Sequence, residues 1–343
     1  MLSSATQRAL YLQAQSAMAT VINTGGTWTS TTAKFVPFTK ADLVCDYDLI
    51  PGNYKIGNAS SLAGIPGRAS KCTAAIACPF MPSGAAGTAP QIDPLLQNIF
   101  GVAPTVVAST SVTYNQADGP GVPLTAALFN RASSNATQQF AFGIAMDNAT
   151  LNLGGDGFFG VDASGMAYYV LDSDNWANEP TAGKGGLTTS PTTEPSPSLT
   201  GAIIPPYASS ASVSIGGNSL VEFVSAQLSI ATGRKIRMDG GQFGTGIVQG
   251  PRVVALKSIK LADSDSASAI AVKALSKSKA ASDVVFVIGG GAGYIVTVTV
   301  KSAQLSGATY SESSDGGLDV TFANAPAHAS SLTGKNELVL ALT

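Results

Sequence analysis

Between residues 124 and 171, short apolar runs are interrupted every few residues by Gly, Asn or Asp, which leaves little room for a long helix. The runs at 124–130, 138–146, 149–153 and 166–171 read as strands of a meander, and 111–115 as a strand before them. The same pattern returns towards the C-terminus, with strands expected at 211–215, 222–230, 246–261, 284–288, 294–300, 318–322 and 337–342. The 246–261 run is long and has room to bend. Ile295-Val-Thr-Val-Thr-Val300 alternates strictly, as a strand with one buried face must. Composition points the same way: Glu occurs only five times in 343 residues, against 37 Gly and 18 Pro, and Gly, Ser, Thr and Ala dominate, which suits β-sheet with many turns.

Two short helices are expected within this β pattern. After Pro90, the residues Ile92, Leu95, Leu96, Ile99 and Phe100 form an apolar helical stripe that Gly101 ends. A helix this short is marginal alone, so the stripe should lie on a sheet. The second helix is expected after a cap at Asp263 or Ser264, with Ala267, Ile270, Ala271, Ala274 and Leu275 as its apolar positions. Lys273, Lys277 and Lys279 lie towards its C-terminal end, where the macrodipole favours cations.

Elsewhere the pattern is looser. Residues 4–22 have weak helical or extended character, and 23–32 are polar and rich in Gly and Thr. Residues 35–49 look extended, with Pro37 setting an edge or an arm, and 71–80 is a short apolar run ended by Pro79 and Pro82. Residues 178–206 contain Pro180, Pro191, Pro195, Pro197, Pro205 and Pro206, so they form either a linker or a long surface loop. The expected organisation is an N-terminal segment or extended arm over 1–50, then a first half of the β core over 51–177 with its helix near 91–100. The Pro-rich 178–206 and a second half of the core over 207–343 follow. Each half reads as strands, a helix, then strands, without a residue-level repeat.

Charge narrows the functional classes. Only 12% of residues are charged, with 19 Lys and Arg against 21 Asp and Glu. A chain 45% hydrophobic is too apolar for disorder, and one so nearly neutral lacks the basic excess for bulk attraction to nucleic acid. A monomer usually keeps itself soluble with more charge than this, so much of the surface is expected to be covered by other copies. Charge is also segregated. Residues 151–230 hold seven acids and only Lys184 as a base, whereas 231–280 hold nine bases and three acids. Solvated strand faces of opposite sign explain this, as would complementary surfaces meeting between copies, which would fix register more than affinity.

Cys45, Cys72 and Cys78 are odd in number and unevenly spaced, so they read as buried small apolar residues and not as a disulfide framework. Residues 1–19 begin polar and contain no continuous apolar stretch, so no secretory signal is expected and a reducing cytoplasm is the expected place of synthesis. The apolar stretch 284–300 is broken by Gly289, Gly290, Gly291 and Gly293 and reads as a hairpin, not a membrane span. The sequons at Asn58, Asn135 and Asn148 match by pattern only.

No catalytic, cofactor-binding or metal-ligating residue is singled out. His328, the single histidine, sits among small loop residues, which makes a catalytic triad or a histidine metal cluster unexpected. The glycine run 289–293 lacks the spacing of a dinucleotide loop and is followed by a β pattern where a helix should begin. Phe243 is the only aromatic among the bases of 231–280, so that segment does not read as a nucleic-acid site.

Three stretches together resemble the tail tube proteins of long-tailed, siphovirus-type bacteriophages. They are GTAPQIDPLLQNIFG at 87–101 followed by Val112-Thr-Tyr114, then LNLGGDGFFGVD with MAYYV, and the C-terminal stretch from Ser302 to Thr343. In the last, Tyr310, the Gly316-Gly317 turn and Asn336-Glu337-Leu338 carry the likeness. Gly250-Pro-Arg252 only approximates the arginine-plus-glycine strand of that family, and 178–206 is longer than the family leads one to expect. The resemblance implies a mostly β fold: a tail-tube-type β-barrel or sandwich with one or two short helices and extended arms or loops. It implies hexameric rings of this chain stacked into a tube in the virion, synthesised in the host bacterial cytoplasm. Tape measure and terminator proteins would be partners, and DNA would pass through the lumen without specific binding, with no membrane involved. Extended stretches such as 23–50 or 178–206 would reach the next ring, and the bases of 231–280 would face neighbouring subunits or the outside more than the lumen. The alternatives are another tail structural protein (terminator, baseplate hub or decoration protein) and a receptor- or carbohydrate-binding β-sandwich. An enzyme is not expected.

Overall fold

The first strand, β1 (Arg8–Ala14), is buried from Ala9 to Gln13, so the weakly patterned N-terminal run lies inside the core. The computed structural model describes residues 8–20, 23–24, 27–28, 33–46, 49–55, 61–66, 72–130, 138–154, 159–191, 194–202, 212–220, 223–240, 243–312, 317–328 and 337–343. Asn58, Asn135, Asp156, Pro205, Pro206, Glu222, Gly316 and Asn336 lie outside them.

A minimal hairpin, β2 (Asn23–Thr24) and β3 (Thr27–Trp28), precedes β4 (Lys34–Val36) and β5 (Lys40–Val44). β6 (Leu49–Lys55) and β7 (Ser61–Pro66) pair with each other, and β8 (Thr73–Pro79) follows. The first helix, α1 (Asp93–Phe100), buries Leu95, Leu96, Ile99 and Phe100 as its stripe requires. Gly101 ends it at φ 88°, a left-handed cap whose N–H returns to the carbonyl of Gln97. β9 (Thr105–Val107) precedes β10 (Ser111–Asn115) and β11 (Leu124–Asn130), and these last two fall where the sequence pattern puts them, β10 alternating and β11 buried along its whole length.

The next strands differ from the expectation. The runs 138–146 and 149–153 are one strand, β12 (Gln138–Gly154), bulged between Met146 and Asn148. The run 166–171 is split between β13 (Gly160–Met166) and β14 (Tyr169–Asp172). The Pro-rich segment begins with short 3-10 turns at Ser173–Asn178 and Thr181–Lys184. It then lies along the core: Tyr11 Oη donates to Glu194 and to the carbonyl of Pro195, and Gln91 Nε2 donates to Ser198 and Thr200.

β15 (Ser212–Ile215), β16 (Asn218–Leu220), β17 (Phe223–Ala231) and β18 (Arg234–Arg237) follow. The 246–261 run is two strands, β19 (Gly246–Gln249) and β20 (Val253–Ala262), because Pro251 cannot donate to a ladder. The second helix, α2 (Ala267–Ser278), is capped by Ser266, whose Oγ accepts from Ala269 N–H, and not by Asp263 or Ser264. Its buried positions are Ala269, Val272 and Ser276, while Ile270 is 54% exposed, so the helix is rotated from the expected face. β21 (Ala281–Ile288) and β22 (Val296–Gln304) form the hairpin that the glycine run turns. β23 (Thr309–Glu312), β24 (Leu318–Pro326) and β25 (Leu338–Leu342) close the chain.

The protein is mostly β, with two helices and several antiparallel sheets. The larger sheet runs β23-β24-β20-β17-β12-β11-β1-β4, with β13, β14, β8 and β5 joined to it through β12. The smaller runs β16-β15-β21-β22-β25-β10-β9. One hydrophobic core lies between them. Phe223 of the larger sheet meets Phe286 of the smaller, and Phe100 of α1 meets Tyr114 of β10.

The sulfurs of Cys45 and Cys72 are joined, which corrects the reading of all three cysteines as unpaired apolar residues. Their 27-residue separation gave no sign of it, because β5 and β8 bring them together as neighbours in the sheet. Cys78 is free and buried, and burial, helped by Asp162, pushes its thiol up to about 12.

Candidate functional site

The strongest polar arrangement in the core centres on Arg234. The alternation in β18 puts Arg234 on the buried face with Ile236, while Lys235 and Arg237 point outward. Arg234 is 1% exposed. Its Nη1 donates to the carbonyls of Asn98 (2.6 Å) and Ile99 (3.0 Å), Nη2 to Ala117 (3.2 Å) and Nε to Gly119 (3.3 Å). The first two carbonyls close α1, where the macrodipole is negative and the backbone has no helical partner. Burial lowers the Arg234 pKa to about 10; Arg252 acts in the same direction and Asp118 against it. A Cβ on Gly101 would lie 2.0 Å from Arg234 Nη2, and one on Gly121 2.8 Å from Nε, so both glycines make room for the guanidinium.

Around this arginine a polar network fixes the bulge of β12. Asn98 Nδ2 donates to the carbonyls of Val122 and Ile144, and its Oδ1 accepts from Met146 N–H. Thr232 Oγ1 donates to the Met146 carbonyl (2.5 Å), and the Arg234 N–H donates to Thr232 Oγ1. Period-two alternation in Arg234-Lys-Ile-Arg237 was the one sequence signal for an inward arginine; its carbonyl partners, more than a hundred residues away, left none.

The other bases of 231–280 are also largely engaged within the chain. Arg252 pairs with Asp118 (3.0 Å) and Glu337 (2.8 Å), Lys260 with Asp319 (2.6 Å), Arg237 with Asp239 (2.6 Å), and Lys273 with Asp263. Lys279 donates to the Leu305 carbonyl. None of these carboxylates comes from the acidic stretch 151–230, two of whose members bind tyrosines: Glu194 takes Tyr11 and Glu179 takes Tyr169.

The outward face of the larger sheet carries short side chains in register. One row across it reads Lys40, Ala77, Asp162, Thr150, Ser229 and Ala255. A shallow depression of about 350 Å³ lies on this face, where Ala77 sits between the longer Lys40 and Asp162, and Ala75 lies two residues along the same strand. Thr150, Ser164, Asp162 and Lys40 supply its polar lining, and Asp162 accepts from Asn152 Nδ2.

The sheets end in strands of unlike character. β16 is covered by α2, and β14 by the 3-10 turns. β4 carries Lys34 and β5 carries Lys40. β9 and β23 are exposed along their whole length, with Val106, Val107 and Tyr310 each at least half exposed.

The remaining sequence features fall as follows. His328 is exposed, its N–H donating to the Lys301 carbonyl. The glycine run turns a hairpin that docks on another turn: Gly84 N–H donates to the Gly293 carbonyl, and a Cβ on Gly293 would meet Gly84 C at 2.4 Å. Asn148 is exposed on β12. Among the described residues no group of three or more His, Cys, Asp or Glu could hold a metal ion, and no helix is long and apolar enough to cross a membrane.

No protein-family model matches the chain, and no curated protein matches it.

Proposed function

We propose that this protein is a structural subunit of a bacteriophage tail, assembling with copies of itself into stacked hexameric rings that form the tail tube. The observation that carries this reading is the disposition of charge: a chain only 12% charged directs most of the bases of 231–280 to partners inside itself. What is left outside is a broad sheet face mostly of Ala, Ser, Thr and Asn, together with exposed strand edges at β9, which carries no charge, and β23, whose one charge is Glu312. Exposed edges and apolar side chains are a liability in a monomer and an asset in an assembly. Ring closure needs a heterologous interface, and stacking an open one.

The short-chain face suits the wall of a channel. Among its described residues the row shows no arginine and no aromatic platform, and its one cation, Lys40, is matched by Asp42 at 3.2 Å. Duplex DNA would therefore meet little net positive charge and no stacking surface there. Arg234, enclosed and capping α1, is withheld from any such wall. On this reading the protein resides in the virion, meets tape measure and terminator proteins at the tube ends, and performs no catalysis.

Negative-stain microscopy of the purified protein across a concentration series tests the reading. Hollow rods of uniform diameter are expected. Discrete single chains at every concentration and solvent would overturn it.

A further inference from the structure

Among the described residues, each of the two larger sheets leaves one terminal strand without the usual protection. Proteins guard free edges with lysine, proline, bulges or a covering element. Here β14 and β16 are covered, and β4 and β5 carry lysines. β9 and β23 have neither: β9 is Thr-Val-Val and β23 is Thr-Tyr-Ser-Glu, both exposed throughout. Among the described residues each has a hydrogen-bonded neighbour on one side only, β10 for β9 and β24 for β23.

Their surroundings match. Val102, Val106 and Val107 are 39%, 53% and 50% exposed near β9, while Tyr310 and Leu318 are 54% and 43% exposed near β23. Lys273, 6.0 Å from the Tyr310 ring, is paired with Asp263, so it brings little free charge to the second patch. The strands have similar lengths, 3 and 4 residues. Both stay exposed in the single chain and end different sheets, so one copy of each can be satisfied by the other only between chains.

We infer that β9 of one copy pairs with β23 of the next, adding the edge of the smaller sheet to the edge of the larger. Main-chain hydrogen bonds supply the attachment, and the valines and Tyr310 supply the side-chain contact. Such short edges bind weakly one at a time, but closing a ring makes the last contact intramolecular. Because the two edges differ, no two-fold axis passes through the contact, and repeated head to tail it runs on from copy to copy until a ring closes. This rests on the tube reading for the ring it would close, but the pairing itself can be tested separately.

Two variants, each blocking one edge, carry the test: Val106→Lys with Val107→Lys on β9, and Tyr310→Lys with Ser311→Lys on β23. Thermal melting of each variant is the folding check, and the same positions changed to Glu repeat the design with the opposite charge. Each variant alone should lose rods by microscopy. An equimolar mixture, raised to the high concentration that a single contact outside a ring requires, should show 1:1 pairs approaching twice the single-chain mass by sedimentation. Neither variant should show them alone at that concentration, since only in the mixture does one free β9 meet one free β23, with both outer edges blocked. Rods from either variant alone, or no pair on mixing, overturns the inference. If the wild-type chain makes no rods but the mixture pairs, the tube reading fails and the edge contact stands. If the wild type and both variants make rods, the edge contact fails and the tube reading stands.

Discussion

Arg234 Nη1 lies 2.6 Å from the carbonyl oxygen of Asn98, so a side chain on β18 closes a helix 136 residues earlier in the chain. The bond joins the two parts of the sequence through the end of α1. Arg234→Ala would leave buried carbonyls without donors, at a cost on the order of 3 kcal/mol. Arg234→Lys should recover only part, because an ammonium cannot span the carbonyls of both α1 and the 117–119 turn. Urea denaturation of both variants measures the difference.

Gly101→Ala forces a Cβ against Arg234 Nη2 at a residue with φ +88°, so it strains the backbone and displaces the guanidinium together. In a double-mutant cycle, Gly101→Ala and Arg234→Ala should be non-additive by about 1 kcal/mol or more, since each damages the same contact. Additive losses would show that the glycine serves only its own turn.

Within the run 289–293, Gly293→Ala should cost clearly more stability than Gly291→Ala. Both have positive φ, but a Cβ at Gly293 meets the backbone of Gly84 and Ala85, whereas at Gly291 it meets open space. Thermal melts of the two variants decide between turn docking and backbone conformation alone.

Asp93 and Asp283 should give opposite pH dependences. At Asp93, burial raises the pKa against the lowering effect of hydrogen bonds from Tyr114 and Gln97 and of the charge on Lys34. The folded state then holds its proton longer than the unfolded one, so this group's contribution to stability falls as pH rises from the ordinary carboxylate range through the raised value. At Asp283, burial acts upward, but the hydrogen bonds from Lys301 and the Ser302 N–H and the Lys301 charge outweigh it and lower the pKa. Its contribution is present above the ordinary carboxylate value and is lost as pH falls through the lowered one. The site is half exposed, so Asp283→Asn should cost about 0.5–1 kcal/mol at pH 7 and nothing at pH 2. Asp93→Asn should gain relative to wild type as pH rises from 3 to 7. Denaturant titrations across that range follow both.

Thiol titration checks the cysteine assignment. Denatured under non-reducing conditions the chain should show one reactive thiol, Cys78, and all three after reduction. Native Cys78 should react very slowly, being buried and raised to about 12. Replacing Cys45 by Ser should cost about 3 kcal/mol in oxidised protein.

Local pattern announced what local physics decides. β10 was legible because it alternates, β11 because it is a short apolar run between turn residues, and α1 because its stripe ends at Gly101. β12 was hidden because Asp147 and Asn148 look like a turn, whereas Asn98 and Thr232 bind the backbone there and carry the strand through. Pattern alone also misjudged α2, where Ala and Ser pack as closely as Ile: Ser276 is buried with its hydroxyl on the Ser306 carbonyl, and Ile270 faces out. The inward arginine and the joined cysteines depend on partners brought together only by the complete fold.

β12 pairs with β11 and β14 along its first part and with β13 and β17 along its second, so the ladder it anchors joins strands from both sides of the Pro-rich segment. A gene split within 178–206 would therefore yield two fragments, each with half a ladder and an incomplete interior. Neither would be a miniature of the whole. Co-expressed, they should find each other and rebuild the native sheet, with β17 of one fragment completing β12 of the other.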